Sequence, residues 1–222
     1  VPVVVLREPL ESVTPTAFVG TDACLKGTQL AHWLVGAAPE GGKVIALGGD
    51  AGTHTRQAWT CAEAALTELA ARIAPAVADD AAFVGIYSGG AWLAERLAQM
   101  IPGEHPVGYI DVSFYRDDFG RKGLKPEVKR TALPFEVEGA TIVLVDDVLY
   151  TGRSVRAAIN ELFDFGRPAR IELAVLVDRG GRELPVEATY AGARLAVARE
   201  VSIVLSRGAD GRLALAAEGG HA

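Results

Sequence analysis

Residues 140–165, with the sequence ATIVLVDDVLYTGRSVRAAINELFDF, contain the clearest structural pattern in the chain. Its apolar and β-branched run at residues 141–145 predicts a buried parallel strand. Asp146 and Asp147 follow at once, and a short polar loop then leads into an amphipathic helical pattern. The apolar stripe of that pattern consists of Val155, Ala158, Ile159, Leu162 and Phe163. The order of strand, acids, loop and helix predicts one strand-to-helix unit of an α/β sheet.

This unit has the chemistry of a sugar-phosphate site. The N–H groups and the dipole at a helix start attract an anion, and Thr151 and Ser154 add hydroxyl donors. Gly152 lets the backbone approach a ligand closely. Asp146 and Asp147 can accept hydrogen bonds from a ribose diol at the strand end, where open α/β sheets bind ligands. The alternative is an acidic turn in which Ser154 is a plain helix N-cap.

The residues VDDVLYTGRSVRAA, 145–158, resemble the PRPP-binding motif of the type I phosphoribosyltransferases, and specifically that of the PyrR family. Members of that family regulate the pyrimidine operon and are also uracil phosphoribosyltransferases; PRPP is phosphoribosyl pyrophosphate. The resemblance covers about residues 61–207. It implies an α/β fold with a doubly wound, mainly parallel sheet. It also implies that Thr151, Gly152, Arg153 and Ser154 bind the 5′-phosphate, with Asp146 and Asp147 on the ribose hydroxyls.

Length and composition bound the remaining choices. The chain has 222 residues, of which half are apolar, and this predicts one domain, or one domain with a small addition. No apolar run reaches membrane-spanning length and no leader pattern opens the sequence, so we expect no membrane partner. Cys24 and Cys61 make neither a disulfide framework nor a zinc site, which favours the cytoplasm. A net charge of −6 argues against strong nonspecific nucleic-acid binding but leaves a local basic face open.

Strands and helices alternate around the central stretch. Continuous or alternating apolar runs predict strands at residues 83–87, 109–115 and 171–177, with a helix at residues 91–100. Residues 133–137 are expected to pair with the sheet. This alternation, without internal repeats, also predicts a doubly wound α/β fold.

Two further segments are candidates for binding pyrophosphate. Ser88, Gly89 and Gly90 form a turn between a strand and a helix, so their N–H groups can hold a second anion. The resemblance implies that this turn is the pyrophosphate loop. It also implies that the charged loop at residues 116–128 covers PRPP, with Arg116 near the pyrophosphate as a catalytic residue. The alternatives are a tight glycine turn and a solvated run of charges.

The third candidate segment follows the last long strand. The resemblance implies that Asp178 lies near a magnesium ion, and that Arg179 and the backbone of Gly180 meet the pyrimidine base. Magnesium prefers oxygen ligands and keeps several waters, so one carboxylate plus PRPP oxygens would suffice. A polar β-turn is the alternative.

The first 60 residues read as a β-α-β addition, with strands at residues 1–6 and 43–47, a helix at 22–37, and a second helix from about residue 56 to residue 73. The segments PVVVLREP, FVGTD and GGKVIALGGDAGTHTRQAW resemble a fragment of the periplasmic sugar-binding and LacI-type ligand-binding domain. That resemblance implies sugar contacts at Arg7 and Arg56, whereas the alternative is an added unit packed on the sheet. Residues 208–222 are expected to be a frayed tail.

These observations combine into one functional prediction. The chain is expected to convert uracil and PRPP to UMP and pyrophosphate, with magnesium, as a cytoplasmic homodimer. Asp146, Asp147 and Arg116 are the expected catalytic residues. The resemblance also implies regulation of the pyr operon through a leader RNA, although the arginines of the sequence are dispersed. The alternatives are a catalytically weak, nucleotide-sensing RNA-binding regulator and a sugar-binding module.

Overall fold

A central sheet of five parallel strands organises the part of the chain that the structure describes. The computed structural model describes residues 4–5, 17–18, 51–112, 130–195, 197, 199 and 201–219. The elements in chain order are β1 (Val4–Val5), β2 (Ala17–Phe18), α1 (Ala51–Ile73), β3 (Ala82–Ile86), α2 (Gly89–Met100), β4 (Val107–Ile110), β5 (Thr141–Leu149), α3 (Arg153–Phe165), β6 (Arg170–Asp178), β7 (Tyr190–Arg194), β8 (Val201–Arg207) and β9 (Leu213–Gly219).

The strand order of the central sheet is β4-β3-β5-β6-β7, and every neighbouring pair is parallel. This confirms the predicted doubly wound α/β fold. The chain leaves β3 toward β4 on one side and returns to β5 on the other. The direction of winding therefore reverses between β3 and β5, and the crevice outside the carboxyl ends of these two strands is where such sheets bind ligands.

Apolar runs hold the sheet between its helices. The inner part of β5, residues 142–145, is completely buried, as is most of β6. This burial is expected of central parallel strands that are covered on both faces. Helix α3 contributes Val155, Ala158 and Leu162 to the same core cluster. The sequence places Phe163 on the apolar stripe of α3, but its side chain is 49% exposed. The face of α3 that packs on the core is therefore narrower than the apolar stripe predicted from the sequence.

Several element bounds differ from the prediction. Strand β5 continues past residue 145 to Leu149, since its register with β6 extends to the pair Leu149–Asp178. The acid pair therefore lies inside the strand, near its end. Strand β4 is displaced from the predicted residues 109–115 and ends at Ile110; residues 113–115 lie outside the described part. Residues 133–137 form no strand, and instead Ala132 makes one antiparallel bridge to Tyr109.

The two ends of the chain were less well predicted. Helix α1 begins at Ala51 rather than near residue 56. Only β1 of the predicted first strand is described, and the helix at 22–37 and the strand at 43–47 lie outside the described residues. Residues 213–219, expected to be frayed, form β9, which pairs with β8. The chain divides into two compact units: one contains residues 1–64 and 207–215, the other residues 65–206 and 216–222.

Candidate active site

The acid pair is fixed by backbone amides near the end of β5. Asp146 is buried, and its Oδ1 accepts a hydrogen bond from the Asp147 N–H at 2.9 Å. Asp147 is half-buried, and its Oδ1 accepts from the Val148 N–H at 3.0 Å. Each carboxylate is thus oriented by the main chain of the next residue. Two adjacent carboxylates held in this way are suited to accept hydrogen bonds from a diol.

The turn after β3 lies against this acid pair. Gly89 and Gly90 are buried and begin α2. A Cβ at Gly89 would lie 2.6 Å from Asp147 Cγ, and one at Gly90 would lie 3.1 Å from Asp146 Cα. Only a residue without a side chain permits the approach at Gly89. The structure therefore brings the predicted pyrophosphate loop and the predicted ribose acids together, at the reversal point between β3 and β5.

The loop after β5 leads directly into the first turn of α3. The helix begins at Arg153, and its N-cap is Gly152, with φ 90° and no side-chain cap hydrogen bond. Ser154 is therefore not the N-cap, and the simple capping alternative is wrong. Ser154 lies half-buried in the first helical turn, whereas Thr151 is buried and its Oγ1 is 3.4 Å from the Arg153 nitrogen. Glycine is favoured at this N-cap because it adopts positive φ without strain.

The side chain of Arg153 is directed to a neighbouring loop. Its Nε and Nη2 donate to Glu183 Oε2 at 3.0 and 2.8 Å. The carbonyl oxygen of Thr151 accepts from the N–H groups of Glu183 and Leu184 at 3.0 and 3.1 Å. We call residues 179–186 the β6 loop. These contacts attach the β6 loop to residues 151–154, which we call the phosphate loop, so a phosphate contact of Arg153 would come from its backbone.

Asp178 is the last residue of β6, and it is buried. Its Oδ1 accepts two hydrogen bonds, from the Gly180 N–H at 3.0 Å and from Arg182 Nη2 at 2.7 Å. Its backbone carbonyl accepts from the Leu195 N–H at 2.8 Å, which joins β6 to the residue after β7. The carboxylate therefore has a fixed orientation beside the β6 loop.

Arg179 is buried and bonded within the protein. Its guanidinium lies 4.1 Å from the centroid of the Tyr150 ring and donates to the carbonyl oxygen of Val201. The predicted base contact at this position would therefore involve backbone groups, including those of exposed Gly180. Tyr150 itself had no assigned role in the sequence.

Three residues around this site were missed by sequence reasoning: Tyr150, Arg182 and Glu183. The last two lie in a charged segment, but no local pattern indicates that Arg153 would pair with Glu183 thirty positions away. Their partners become visible only when β5 and β6 lie side by side.

Some predicted site residues cannot be placed. Arg116 and Arg7 lie outside the described residues, and Arg56 lies on α1 in a stretch whose side chains are not described. Among the residues with described positions, no group of three or more His, Cys, Asp or Glu side chains could hold a metal ion. No helix in the described part is long and apolar enough to cross a membrane.

Comparison with known proteins defines the class first. Residues 57–197 match the family described as the phosphoribosyl transferase domain. Among solved structures, a hypoxanthine phosphoribosyltransferase from Staphylococcus aureus aligns with a TM-score of 0.51 at 19% identity, over 68% of this chain and 85% of that one. At this identity the likeness shows the fold alone.

Individual relatives identify the family within this class. The "Bifunctional protein PyrR" of Ralstonia nicotianae is 52% identical over 146 residues, which are 66% of this chain and 83% of the relative. The protein of the same name from Pseudomonas paraeruginosa is 48% identical over 139 residues, 63% of this chain and 82% of the relative. The chain therefore belongs to the PyrR family of phosphoribosyl transferase domains. The resemblance of residues 1–60 to sugar-binding domains gains no support from these matches.

Proposed function

We propose that the chain transfers a phosphoribosyl group from PRPP to uracil, giving UMP and pyrophosphate. The observation that carries the proposal is the approach of Gly89 to Asp147. It puts an anion-binding helix start directly against a pair of carboxylates, as a sugar with phosphates on two sides requires. The family to which the chain belongs, and the position of the site at the reversal point of the sheet, also support this proposal.

In this reaction the bond between C1′ and the pyrophosphate oxygen breaks as the bond to uracil N1 forms, and the N1 proton passes to water or to the departing pyrophosphate. Asp146 and Asp147 would hold the ribose hydroxyls and stabilise the positive charge that develops on the ribose ring. The backbone N–H groups at the start of α3, with Thr151 and Ser154, would bind the 5′-phosphate. The backbone of Ser88, Gly89 and Gly90 would bind the pyrophosphate.

Arg116 completes the predicted set of catalytic groups. Its guanidinium would offset negative charge on the leaving pyrophosphate, for which its fork of donors is suited. The mechanism needs no strong general base, since orientation and electrostatic stabilisation of the separated charges supply the main rate enhancement.

Magnesium fits the donor set at the end of β6. Both Asp178 hydrogen bonds described above fall on Oδ1, which leaves Oδ2 as the oxygen available to a hard cation. The ion would be held by Asp178, directly or through water, and by PRPP oxygens. When bound, magnesium would neutralise charge on the pyrophosphate. Gly180 and Arg179 would meet the uracil, chiefly through backbone groups.

The direct test is UMP formation from uracil, PRPP and magnesium, with hypoxanthine as the competing base because a structural neighbour is a hypoxanthine enzyme. Uracil-dependent release of pyrophosphate supports the proposal. Turnover of hypoxanthine instead of uracil would overturn the choice of base. If neither base were converted, the proposal that the chain is an enzyme would be overturned.

A second function is favoured by the name of the relatives, which calls them bifunctional. We propose that this chain also regulates pyrimidine genes by binding a leader RNA, as a cytoplasmic dimer that concentrates its dispersed arginines on one face. Filter binding of leader RNA with and without UMP tests this function. An affinity that is the same for leader RNA and for a scrambled RNA, at every UMP concentration, contradicts it.

A further inference from the structure

Within the described part of the candidate site, the Arg182 side chain bonds to several neighbouring groups, and the proposed reaction gives it no role. Its Nη2 bonds Asp178 Oδ1 at 2.7 Å, and its Nε donates to the Val186 carbonyl oxygen at 3.0 Å. Its Nη1 lies 3.3 Å from the Leu149 oxygen, 3.1 Å from the Tyr150 oxygen and 3.3 Å from the Gly180 oxygen. All three guanidinium nitrogens are therefore engaged.

These partners belong to three segments that must stay in register. Leu149 ends β5 and Tyr150 follows it, Asp178 ends β6, and Gly180 and Val186 belong to the β6 loop. The Arg179 N–H also donates to the Leu149 carbonyl oxygen at 3.1 Å. Arg182 thus adds a side-chain link at the point where the backbone ladder between β5 and β6 ends.

We propose that Arg182 is a positioning residue, which fixes the Asp178 carboxylate and the β6 loop so that Asp178 Oδ2 stays available to the magnesium–PRPP complex. This inference rests on the proposed function for its ligand. A direct phosphate contact is disfavoured, because the Arg182 side chain is only 22% exposed and each of its three nitrogens already bonds within the protein.

The geometry requires arginine rather than any cation. A guanidinium presents five N–H donors in a rigid plane, whereas an ammonium group has three donors at one point. Lysine at position 182 could keep the charge beside Asp178, but it could not also reach Val186 and the end of β5. We therefore expect Arg182→Lys to recover only part of what Arg182→Gln loses.

The experiment uses the full chain with five variants: Arg182→Gln, Arg182→Lys, Asp178→Asn, the Arg182→Gln/Asp178→Asn double variant, and Arg170→Gln. The last is the matched control, because Arg170 is also an arginine paired with a buried acid of β6, at the opposite end of the strand. Amide hydrogen exchange at Gly180 reads the position of the loop without any ligand. Calorimetry of PRPP binding at graded magnesium concentrations reads the effect on the ligand.

In Arg182→Gln, we expect exchange at Gly180 to be about tenfold faster, since its acceptor is no longer fixed. We expect the magnesium concentration for half-maximal PRPP binding to rise roughly 10- to 100-fold, as when a partner of a metal ligand is removed. Asp178→Asn should raise it similarly, and the double variant no further than the worse single variant. The KM for uracil should change less than the KM for PRPP.

The proposal is overturned if Arg182→Gln matches the Arg170→Gln control in both measurements, or if the two single effects multiply in the double variant. Failure of the proposed function is a separate result: the unmodified chain would then neither bind PRPP nor form UMP. In that case exchange at Gly180 still decides the positioning role, since unchanged exchange in Arg182→Gln rejects it.

Discussion

Strand β6 carries a buried acid paired with an arginine at each end, and the two pairs are built differently. Near the amino end, Glu172 Oε1 pairs with Arg170 at 2.6 Å and Oε2 accepts from the Tyr190 hydroxyl at 3.0 Å. At the carboxyl end, Arg182 and the Gly180 N–H both bond to Oδ1 of Asp178. One acid has a protein partner on each oxygen, whereas the other has both partners on the same oxygen.

From this difference we propose that Glu172 has a structural role and Asp178 a functional one. A buried carboxylate with both oxygens bonded is satisfied, and its removal leaves a buried donor without a partner. A carboxylate held through one oxygen is oriented, and its other oxygen can still bind a ligand. Asp147 is held in this way, since its Oδ1 accepts the hydrogen bond from Val148. The comparison predicts that variants at the carboxyl end lose function, and that variants at the amino end lose stability.

The largest effect is expected for Asp147→Asn. The amide keeps the size and the hydrogen bond from Val148 but removes the charge that would stabilise the ribose in the transition state. We expect kcat to fall about 100-fold or more, with the free energy of unfolding changed by less than about 1 kcal/mol. Steady-state kinetics and urea denaturation measure both quantities. Unchanged kinetics would remove the acid pair from the mechanism.

A second variant, Gly89→Ala, attacks the same carboxylate from the other side. The new Cβ would lie 2.6 Å from Asp147 Cγ, so the carboxylate must move. We expect PRPP turnover to fall roughly 10-fold, which corresponds to about 1.4 kcal/mol. Combined with Asp147→Asn, the loss should be less than the product of the two, because both changes act on one group. Wild-type kinetics in Gly89→Ala would show that the contact has no functional role.

Glu172→Gln tests the structural acid. The amide cannot pair with the charge of Arg170, and its NH2 group would face either Arg170 or the Tyr190 hydroxyl. We expect the protein to lose about 1–3 kcal/mol of stability, toward the low end because the Arg170 side chain is 66% exposed. The KM and kcat should stay unchanged. A stable variant with impaired catalysis would reverse the roles that the comparison assigns to the two ends of β6.

The sequence predicted the parts of the fold in which local pattern and packing agree. Strands β3 and β6 and helix α3 follow from continuous or periodic apolar residues. Strand β7, with the residues YAGAR, lacks the β-branched side chains that usually mark a strand, and its pairing with β6 holds it in the sheet. The extension of β5 to Leu149 has the same cause, since strand pairing continues after the apolar run stops.

The residues of the candidate site also fall into two groups, those that the sequence indicated and those that it did not. Asp146, Asp147 and the loop at residues 151–154 are adjacent in sequence, so one stretch reveals them together. The approach of Gly89 to Asp147 depends on β3 lying beside β5, which a fold class allows but a local pattern does not specify. The bonds of Arg182 to the end of β5 join residues more than thirty positions apart, and for this reason the sequence did not indicate them.

The smallest effect concerns the hydroxyl that completes the Glu172 pair. Burial, and then the hydrogen bond to Glu172, raise the pKa of Tyr190 above its usual value of 10. A raised folded-state pKa stabilises the protein fully below pH 10, and this contribution is lost as the pH rises through the folded pKa.

Tyr190→Phe should therefore lose about 1 kcal/mol near pH 8 and show a shallower decline of stability above pH 10 than the unmodified chain. Urea denaturation from pH 8 to 11 measures both slopes, with Tyr109 as an internal reference because its pKa, raised to about 12, is common to both proteins. Parallel slopes would mean that neither burial nor Glu172 raises the pKa of Tyr190 in the folded protein, and would contradict the buried Tyr190–Glu172 pair at this end of β6.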